Sequence, residues 1–203
     1  MIKAFITDFG GVLMRTLTDG ARRALEQRLG LAPYTIEERV FSSDLARRGQ
    51  LGEIDEAAFW RQLERDLELA RFGLNWQEFQ RQFFEEDFWD EDLVALIRQV
   101  RPALQTGLIS NALSGLRELL HTYVPIADAF DLLVISAEEK MMKPDPRIYR
   151  LTLERLAVKA EESIFLDDVR ENVDAATAQG MIGVHFYSSE QAQRDIRALL
   201  NSL

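Results

Sequence analysis

Carboxylate, lysine and hydroxyl side chains recur at the ends of short apolar runs along this 203-residue sequence. The first carboxylate, Asp8, ends an apolar run and is followed by two glycines, and two adjacent carboxylates end a later run. A Ser-Asn pair and a Lys-Pro pair lie between them, so the polar groups in chain order are Asp8, Ser110 with Asn111, Lys143 with Pro144, and Asp167 with Asp168. Side chains of these types can together hold a cation and an anionic substrate.

The adjacent carboxylates indicate that a cation belongs to this set. Asp167 and Asp168 repel each other, and placing both at the end of an apolar strand costs stability unless a cation is present. Because no histidine or cysteine cluster accompanies them, the oxygen ligands favour Mg²⁺. Lys143 and a hydroxyl would neutralise the charge of a phosphoryl group. Asp8 could attack its phosphorus to form an aspartyl-phosphate that water hydrolyses.

Each of these residues also has a structural explanation. Aspartate before glycine is common in turns, Ser-Asn before a helix is a common N-cap, and Lys-Pro is common in exposed loops. Arg15 could reach the substrate, as could Arg47 and Arg48 from the other side, but exposed arginines are ordinary. Asn172 either braces the acidic pair or caps its own helix, and His185 is expected to be a packed core residue.

The elements that would position these groups alternate between strands and helices. This alternation predicts an α/β fold with a doubly wound parallel sheet, whose ligands bind at the carboxyl ends of the strands. Asp8, Ser110 with Asn111, Lys143 with Pro144, and Asp167 with Asp168 all follow predicted strands, so we expect them to meet at one edge of the sheet. The predicted strands are 2–7, 104–110, 131–136, 163–166 and 182–186, and the predicted helices are 92–100, 113–123, 146–156, 169–179 and one that begins at residue 188.

One part of the chain departs from this alternation. From about residue 18 to 90 the apolar residues recur at helical spacing, glycines separate the segments, and no comparable strand pattern is found. The segment is too long for one crossover connection. We therefore predict a core formed by residues 1–14 and 91–203, with residues 15–90 inserted after the first strand as a small all-helical cap domain.

Composition narrows the partners, the site chemistry and the location that we expect for the protein. The net charge of −10 argues against nucleic acid and anionic membranes as partners, because both repel an acidic surface. The absence of cysteine excludes disulfides, thiolate metal sites and cysteine nucleophiles. No apolar run approaches a membrane span, and the N-terminal run is too short for a signal peptide, so we expect a cytoplasmic protein.

In their order and spacing these residues resemble the haloacid dehalogenase-like hydrolases. Residues 8–13, Asp-Phe-Gly-Gly-Val-Leu, resemble the first motif of that family, with Asp8 as the nucleophile. Ser110-Asn111 resembles the second motif, whose hydroxyl and amide hold the phosphoryl group, and Lys143-Pro144 resembles the third. Residues 165–168 resemble the fourth, acidic motif. The helical insertion is similar to the cap of bacterial sugar-phosphate phosphatases and of the phosphatase-type domain of soluble epoxide hydrolases.

The resemblance implies a metal site and an activity. Mg²⁺ would be held by Asp8, the backbone carbonyl of Gly10 and Asp168, with Asp167 close by. The protein would be a phosphatase for a small phosphorylated metabolite, such as a sugar 1-phosphate, acting as a monomer or homodimer.

Gly10 departs from the family pattern, because most phosphatases of this family carry there a second aspartate that acts as general acid and base. The departure leaves two alternatives open. One is a family member that binds a phosphorylated ligand with little or no turnover, and the other is a metal-free haloacid dehalogenase. The dehalogenase is the weaker alternative, because that branch has a tyrosine at the position of Gly10 and needs no adjacent acids.

Overall fold

The computed structural model of the protein describes residues 1–201, and its centre is a five-stranded parallel sheet. The sheet has the order β5-β4-β1-β6-β7, and a separate antiparallel pair joins β2 to β3. The seven strands are β1 (Ala4–Thr7), β2 (Met14–Thr16), β3 (Asp87–Trp89), β4 (Gln105–Ser110), β5 (Leu132–Ile135), β6 (Ser163–Asp167) and β7 (Ile182–His185). The predicted doubly wound α/β fold is confirmed.

Helices account for most of the remaining described residues. The α-helices are α1 (Gly20–Leu29), α2 (Thr35–Glu37), α3 (Asp44–Gln50), α4 (Glu56–Asp66), α5 (Trp76–Phe83), α6 (Glu91–Val100), α7 (Leu116–Glu118), α8 (Ser136–Glu139), α9 (Pro146–Arg155), α10 (Arg170–Ala178) and α11 (Ser189–Asn201). Wider π-type turns, Glu38–Ser42 and Leu119–Tyr123, continue α2 and α7, and 3-10 turns occupy Leu69–Phe72, Ala127–Ala129 and Ala160–Glu162. None of the described helices is long and apolar enough to span a bilayer.

Side chains that alternate along each strand pack against helices on both faces of the sheet. Phe5 and Leu108 pack into one apolar cluster with α6 and α11, whereas Ile6 and Ile109 pack into a second cluster with α9 and α10. Successive side chains of a strand point to opposite faces, so a strand buried on both faces reads as a continuous apolar run. With both faces of the sheet covered by helices, polar groups can gather at the carboxyl ends of the strands.

A third apolar cluster lies within the inserted region. Its buried members run from Leu25 to Phe83, among them Phe59, Trp60 and Phe79, whose rings contribute to a set of edge and stacked contacts. The elements between residues 20 and 83 are helical, as expected. We propose on this basis that residues 15–90 fold as a cap around a core of their own.

Two short strands at the ends of the insertion were not predicted. Strand β2 pairs with β3 in an antiparallel register that places Arg15 opposite Phe88. This two-stranded ribbon brings the two ends of the insertion together where they join the core. Within the predicted insertion, an expectation of helix alone is therefore wrong for residues 15–16 and 87–89, although the region is otherwise helical.

Candidate active site

Asp8 leaves β1 at the level where its neighbour β6 also ends. Thr7 lies opposite Leu108 and Leu166 in the sheet, and the Asp8 amide donates to the Leu166 carbonyl at 2.8 Å. Asp8 is 7% exposed, and its Oδ1 accepts from the amide of Phe9 at 2.7 Å. The parallel register thus brings Asp8 beside the acidic pair that ends β6.

Lys143 joins the first carboxylate to the acidic pair. Its side chain is buried, and its Nζ lies 2.8 Å from Asp8 Oδ1 and 2.6 Å from Asp167 Oδ2. Asn111 fixes the backbone of this lysine in both directions: its Nδ2 donates to the Lys143 carbonyl at 2.8 Å, and the Lys143 amide donates to its Oδ1 at 2.8 Å. Asn111 is thus a positioning residue for Lys143, and its contact with a phosphoryl group stays a prediction.

The loop after β6 holds the acidic pair in place. Asp167 is fully buried and accepts from the Val169 amide at 2.8 Å and from Asn172 Nδ2 at 3.1 Å on each carboxylate oxygen. Asn172 therefore braces the acidic pair, which was one of its two expected roles. His185 contacts the backbone of the other acid, since its Nε2 lies 2.8 Å from the Asp168 carbonyl oxygen.

Gly11 lies in the loop after Asp8, and its backbone packs closely against the carboxylate of Asp168. Its φ of +76° is unfavourable for residues with a side chain, and a Cβ built on it would lie 2.2 Å from Asp168 Oδ2. The close approach of this backbone to the carboxylate therefore requires glycine. At Gly10, in contrast, a built Cβ meets nothing within 4 Å.

The three carboxylates form a compact cluster with too few cations. Oxygen atoms of Asp8, Asp167 and Asp168 all lie within 4.8 Å of one another. Burial, opposed by Lys143 and reinforced by Asp167, raises the pKa of Asp8 to about 7. Burial and then the charge of Asp167 also raise the pKa of Asp168. One lysine does not balance three acids, and oxygen donors with surplus negative charge fit a hard divalent cation such as Mg²⁺.

Two predicted substrate-binding residues, Ser110 and Arg15, lie at the end of β4 and in β2. Ser110 is buried at the end of β4, next to the turn that Ser136 holds through the Ala112 amide at 3.0 Å. Arg15 is held by Asp90 at 2.5 Å and stacks over the rings of Phe88 and Phe186. The charge of Arg15 is therefore already matched by Asp90, and its contact with substrate stays a prediction.

Fold and site together define a hydrolase class. A model of the haloacid dehalogenase-like hydrolase family matches residues 2–180, and the protein belongs to this family of hydrolases. A HAD-like family hydrolase from Porphyromonas gingivalis has a similar structure, with a TM-score of 0.81 at 24% identity over 98% of both chains. A HAD family enzyme from Bacteroides thetaiotaomicron, in complex with magnesium and inorganic phosphate, aligns with a TM-score of 0.73 at 21% identity over 93% of this chain and 96% of its own. At these identities the similarity shows the fold.

Sequence relatives extend the comparison. The phosphorylated carbohydrates phosphatase of Thermotoga maritima is 30% identical over 99% of this chain and 91% of its own length. The sesquiterpene phosphatase of Aspergillus oryzae is 33% identical over 55% of this chain and 57% of its own. Acyl-CoA dehydrogenase family member 10 of mouse is 36% identical over 51% of this chain and 10% of its own. The matches thus span less than two thirds of the latter two proteins.

Proposed function

We propose that the protein is a magnesium-dependent phosphatase that hydrolyses a small phosphorylated metabolite through an aspartyl-phosphate on Asp8. The position of Lys143 is the observation on which the proposal rests, because its ammonium lies 2.8 Å from Asp8 and 2.6 Å from Asp167. A buried cation beside a nucleophilic carboxylate suits a phosphoryl group, whose developing charge it would stabilise. Similarity to a phosphatase over nearly the whole chain supports a phosphate ester as the substrate.

The reaction divides into two displacements at phosphorus. A carboxylate oxygen of Asp8 forms the new bond, the bond to the ester oxygen breaks, and the leaving group takes a proton from water. Water then displaces the Asp8 carboxylate, which releases inorganic phosphate and regenerates the free side chain. Lys143 neutralises charge on the phosphoryl oxygens in both steps, and the hydroxyl of Ser110 donates to one of them.

Residues of this chain also suit a resident Mg²⁺. Asp8, Asp168 and the backbone carbonyl of Gly10 would hold it, with Asp167 close by and engaged with Lys143. When bound, the ion supplies positive charge that favours the ionised form of Asp8 and polarises the phosphoryl group. The raised pKa of Asp8 supports this assignment, because an unmatched buried carboxylate is the group that a divalent cation would stabilise.

Gly10 limits the substrate class. Because this position has no carboxylate to protonate the leaving oxygen, the favoured substrates are phosphates with a good leaving group, such as sugar 1-phosphates or acyl phosphates. The carbohydrate phosphatase of T. maritima supports a sugar phosphate, and the sesquiterpene phosphatase of A. oryzae offers a more apolar alternative. A cytoplasmic location and a monomer or homodimer complete the proposal.

Release of phosphate from p-nitrophenyl phosphate tests the proposal. The wild type should release phosphate in MgCl₂ and not in EDTA, and Asp8→Asn should abolish the release. Asp174→Asn is the matched control, since this carboxylate is exposed on α10 and pairs with Arg170. Binding of inorganic phosphate without turnover would instead favour the phospho-ligand binder, whereas metal-independent chloride release from 2-chloropropionate would favour the dehalogenase.

A further inference from the structure

A pocket of about 460 Å³ lies between the cap and the core beside the proposed catalytic lysine. Arg47 and Leu51 line it from the cap, and residues 140–145 with Arg147 line it from the core, where Lys143 forms part of the wall. The same lysine reaches Asp8 with its ammonium. The volume lies within the range of small-molecule sites. Lys143 is thus common to the pocket and to the proposed catalytic cluster.

The charges that line the pocket do not cancel. Arg147 pairs with Asp145 at 2.6 Å, and Lys143 is matched by carboxylates. Arg47 and Lys140, by contrast, form no ion pair with any residue that the structure describes. Two unmatched cations thus face one pocket, one from each side, in a chain whose net charge is −10.

Two acids near the pocket, Glu53 and Glu139, are engaged elsewhere. Glu53 is 3.6 Å from Arg48, the residue next to Arg47 on α3. Glu139, which precedes Lys140, pairs with Arg155 at 2.5 Å. The charges of Arg47 and Lys140 are therefore left available to a ligand.

Close packing of the cap against the core sets the two sides of the pocket opposite each other. Gly52 has φ of +65°, and a Cβ built on it would lie 2.1 Å from the Ala137 carbonyl oxygen. The amide of Gly115 donates to Glu56 Oε2 at 2.6 Å, which ties the start of α4 to the core. These contacts, made just after Leu51 in the chain, hold this face of the cap against the core near the helix that precedes Lys140.

We propose that the pocket lined by Arg47 and Lys140 is an anion subsite that receives a second negatively charged group of the substrate. The substrate class is then a phosphate ester whose leaving group itself bears a carboxylate or a phosphate. This inference rests on the proposed phosphatase function and deepens it. One of the two cations that recognise the second charge comes from the cap and the other from the core. Such substrates therefore bind when the cap is packed against the core.

Three phenyl phosphates that differ only in the para group test the subsite. The group is a methyl carboxylate ester, a free carboxylate or a second phosphate, and the quantity measured is kcat/KM in MgCl₂. We expect the wild type to prefer the anionic compounds, and Arg47→Gln to lower that preference about tenfold, mainly through KM. Lys140→Asn should act in the same direction, since asparagine tolerates the φ of +54° found there. The carboxylate and phosphate compounds show which anion the pocket prefers.

Matched variants separate recognition of the anion by the subsite from a general effect of lost positive charge. Arg48→Gln removes an equal charge from the same helix outside the pocket and should leave the preference unchanged, whereas Arg47→Lys should retain part of it. The same preference is also measured as a ratio of Kd values by calorimetry in the Asp8→Asn background, which needs no turnover. Equal ratios for Arg47→Gln and the parent, or equal losses for Arg47→Gln and Arg48→Gln, overturn the subsite. Binding that shows the preference without any phosphate release by the wild type would instead overturn the phosphatase function alone.

Discussion

Replacing the proposed nucleophile should stabilise the metal-free protein. In Asp8→Asn the amide keeps the shape of the side chain but removes a buried charge whose pKa is raised to about 7 from an ordinary value of 3.8. Burial outweighs the attraction of Lys143, so the ionised carboxylate is less stable in the folded chain than in the unfolded one. Asparagine avoids that cost, and the variant should gain stability while it loses activity.

Linkage gives the sign and the size of the gain. Between pH 3.8 and about 7 the folded protein holds a proton on Asp8 that the unfolded chain has released, so stability falls as pH rises through this window. The two pKa values differ by about 3, and each pKa unit corresponds to about 1.4 kcal/mol, which gives about 4 kcal/mol as an upper limit above pH 7. The advantage of Asp8→Asn should therefore be small near pH 4.5 and largest at pH 8.

Urea unfolding in EDTA at pH 4.5, 6 and 8 measures this advantage. For a chain of this size, each kcal/mol also corresponds to about 2–4 °C in Tm. Asp174→Asn serves as the control, because exposed surface substitutions usually change stability by less than about 0.5 kcal/mol at any pH. Addition of MgCl₂ should stabilise the wild type more than Asp8→Asn. A gain that does not vary with pH, or a less stable Asp8→Asn at pH 8, would refute the argument that the site stores unmatched negative charge.

Three further substitutions test the roles of Lys143, Gly11 and Gly10. Lys143→Met leaves two buried carboxylates without their cation, and we expect a loss of about 3–5 kcal/mol in urea unfolding together with loss of phosphate release. Gly11→Ala pushes against the Asp168 carboxylate and should raise the Mg²⁺ concentration needed for half-maximal activity. Its control is Gly30→Ala, with φ of +69° but no atom near the new methyl group. Gly10→Asp enters open space and should raise kcat on alkyl phosphates by about 10²–10⁴, with a smaller gain on sugar 1-phosphates.

Each of these substitutions has an outcome that contradicts its reason. A Lys143→Met protein as stable as the wild type would mean that the lysine does not compensate the acids. An unchanged Mg²⁺ requirement in Gly11→Ala would separate that glycine from the metal site. Equal, slow rates of Gly10→Asp on alkyl and anomeric phosphates would remove leaving-group chemistry as the explanation for the glycine.

The meeting of Asp8 with the acidic pair could be predicted because it depends on backbone geometry. In a parallel sheet the strand ends share one edge, and the pairing of Thr7 with Leu166 then fixes Asp8 beside Asp167. Lys143 is less constrained, since it lies in a loop between α8 and α9. Its presence at the site was indicated by residue type and by family resemblance, and the structure supplies the ion pairs with both acids.

Other features depend on contacts that no local pattern encodes. Strands β2 and β3 have three residues each, and about 70 residues separate Arg15 from its partner Phe88, so their pairing has no periodic signal. Asn111 and His185 are further examples. An amide after a strand suits both ligand binding and backbone bracing, and only the fold shows that Asn111 holds Lys143 and that His185 reaches the Asp168 carbonyl.

The hydrogen bonds of the site show which of its three carboxylates has few donors. Asp167 is the best compensated acid, with a lysine, an asparagine and a backbone amide as donors. Asp8 shares that lysine and has one backbone donor, and its pKa is raised. Asp167 therefore serves to hold Lys143, while Asp8 and Asp168 keep oxygens free for other partners. The donors are thus concentrated on the acid that positions the lysine, and this is the distribution that the proposed metal-dependent attack by Asp8 would require.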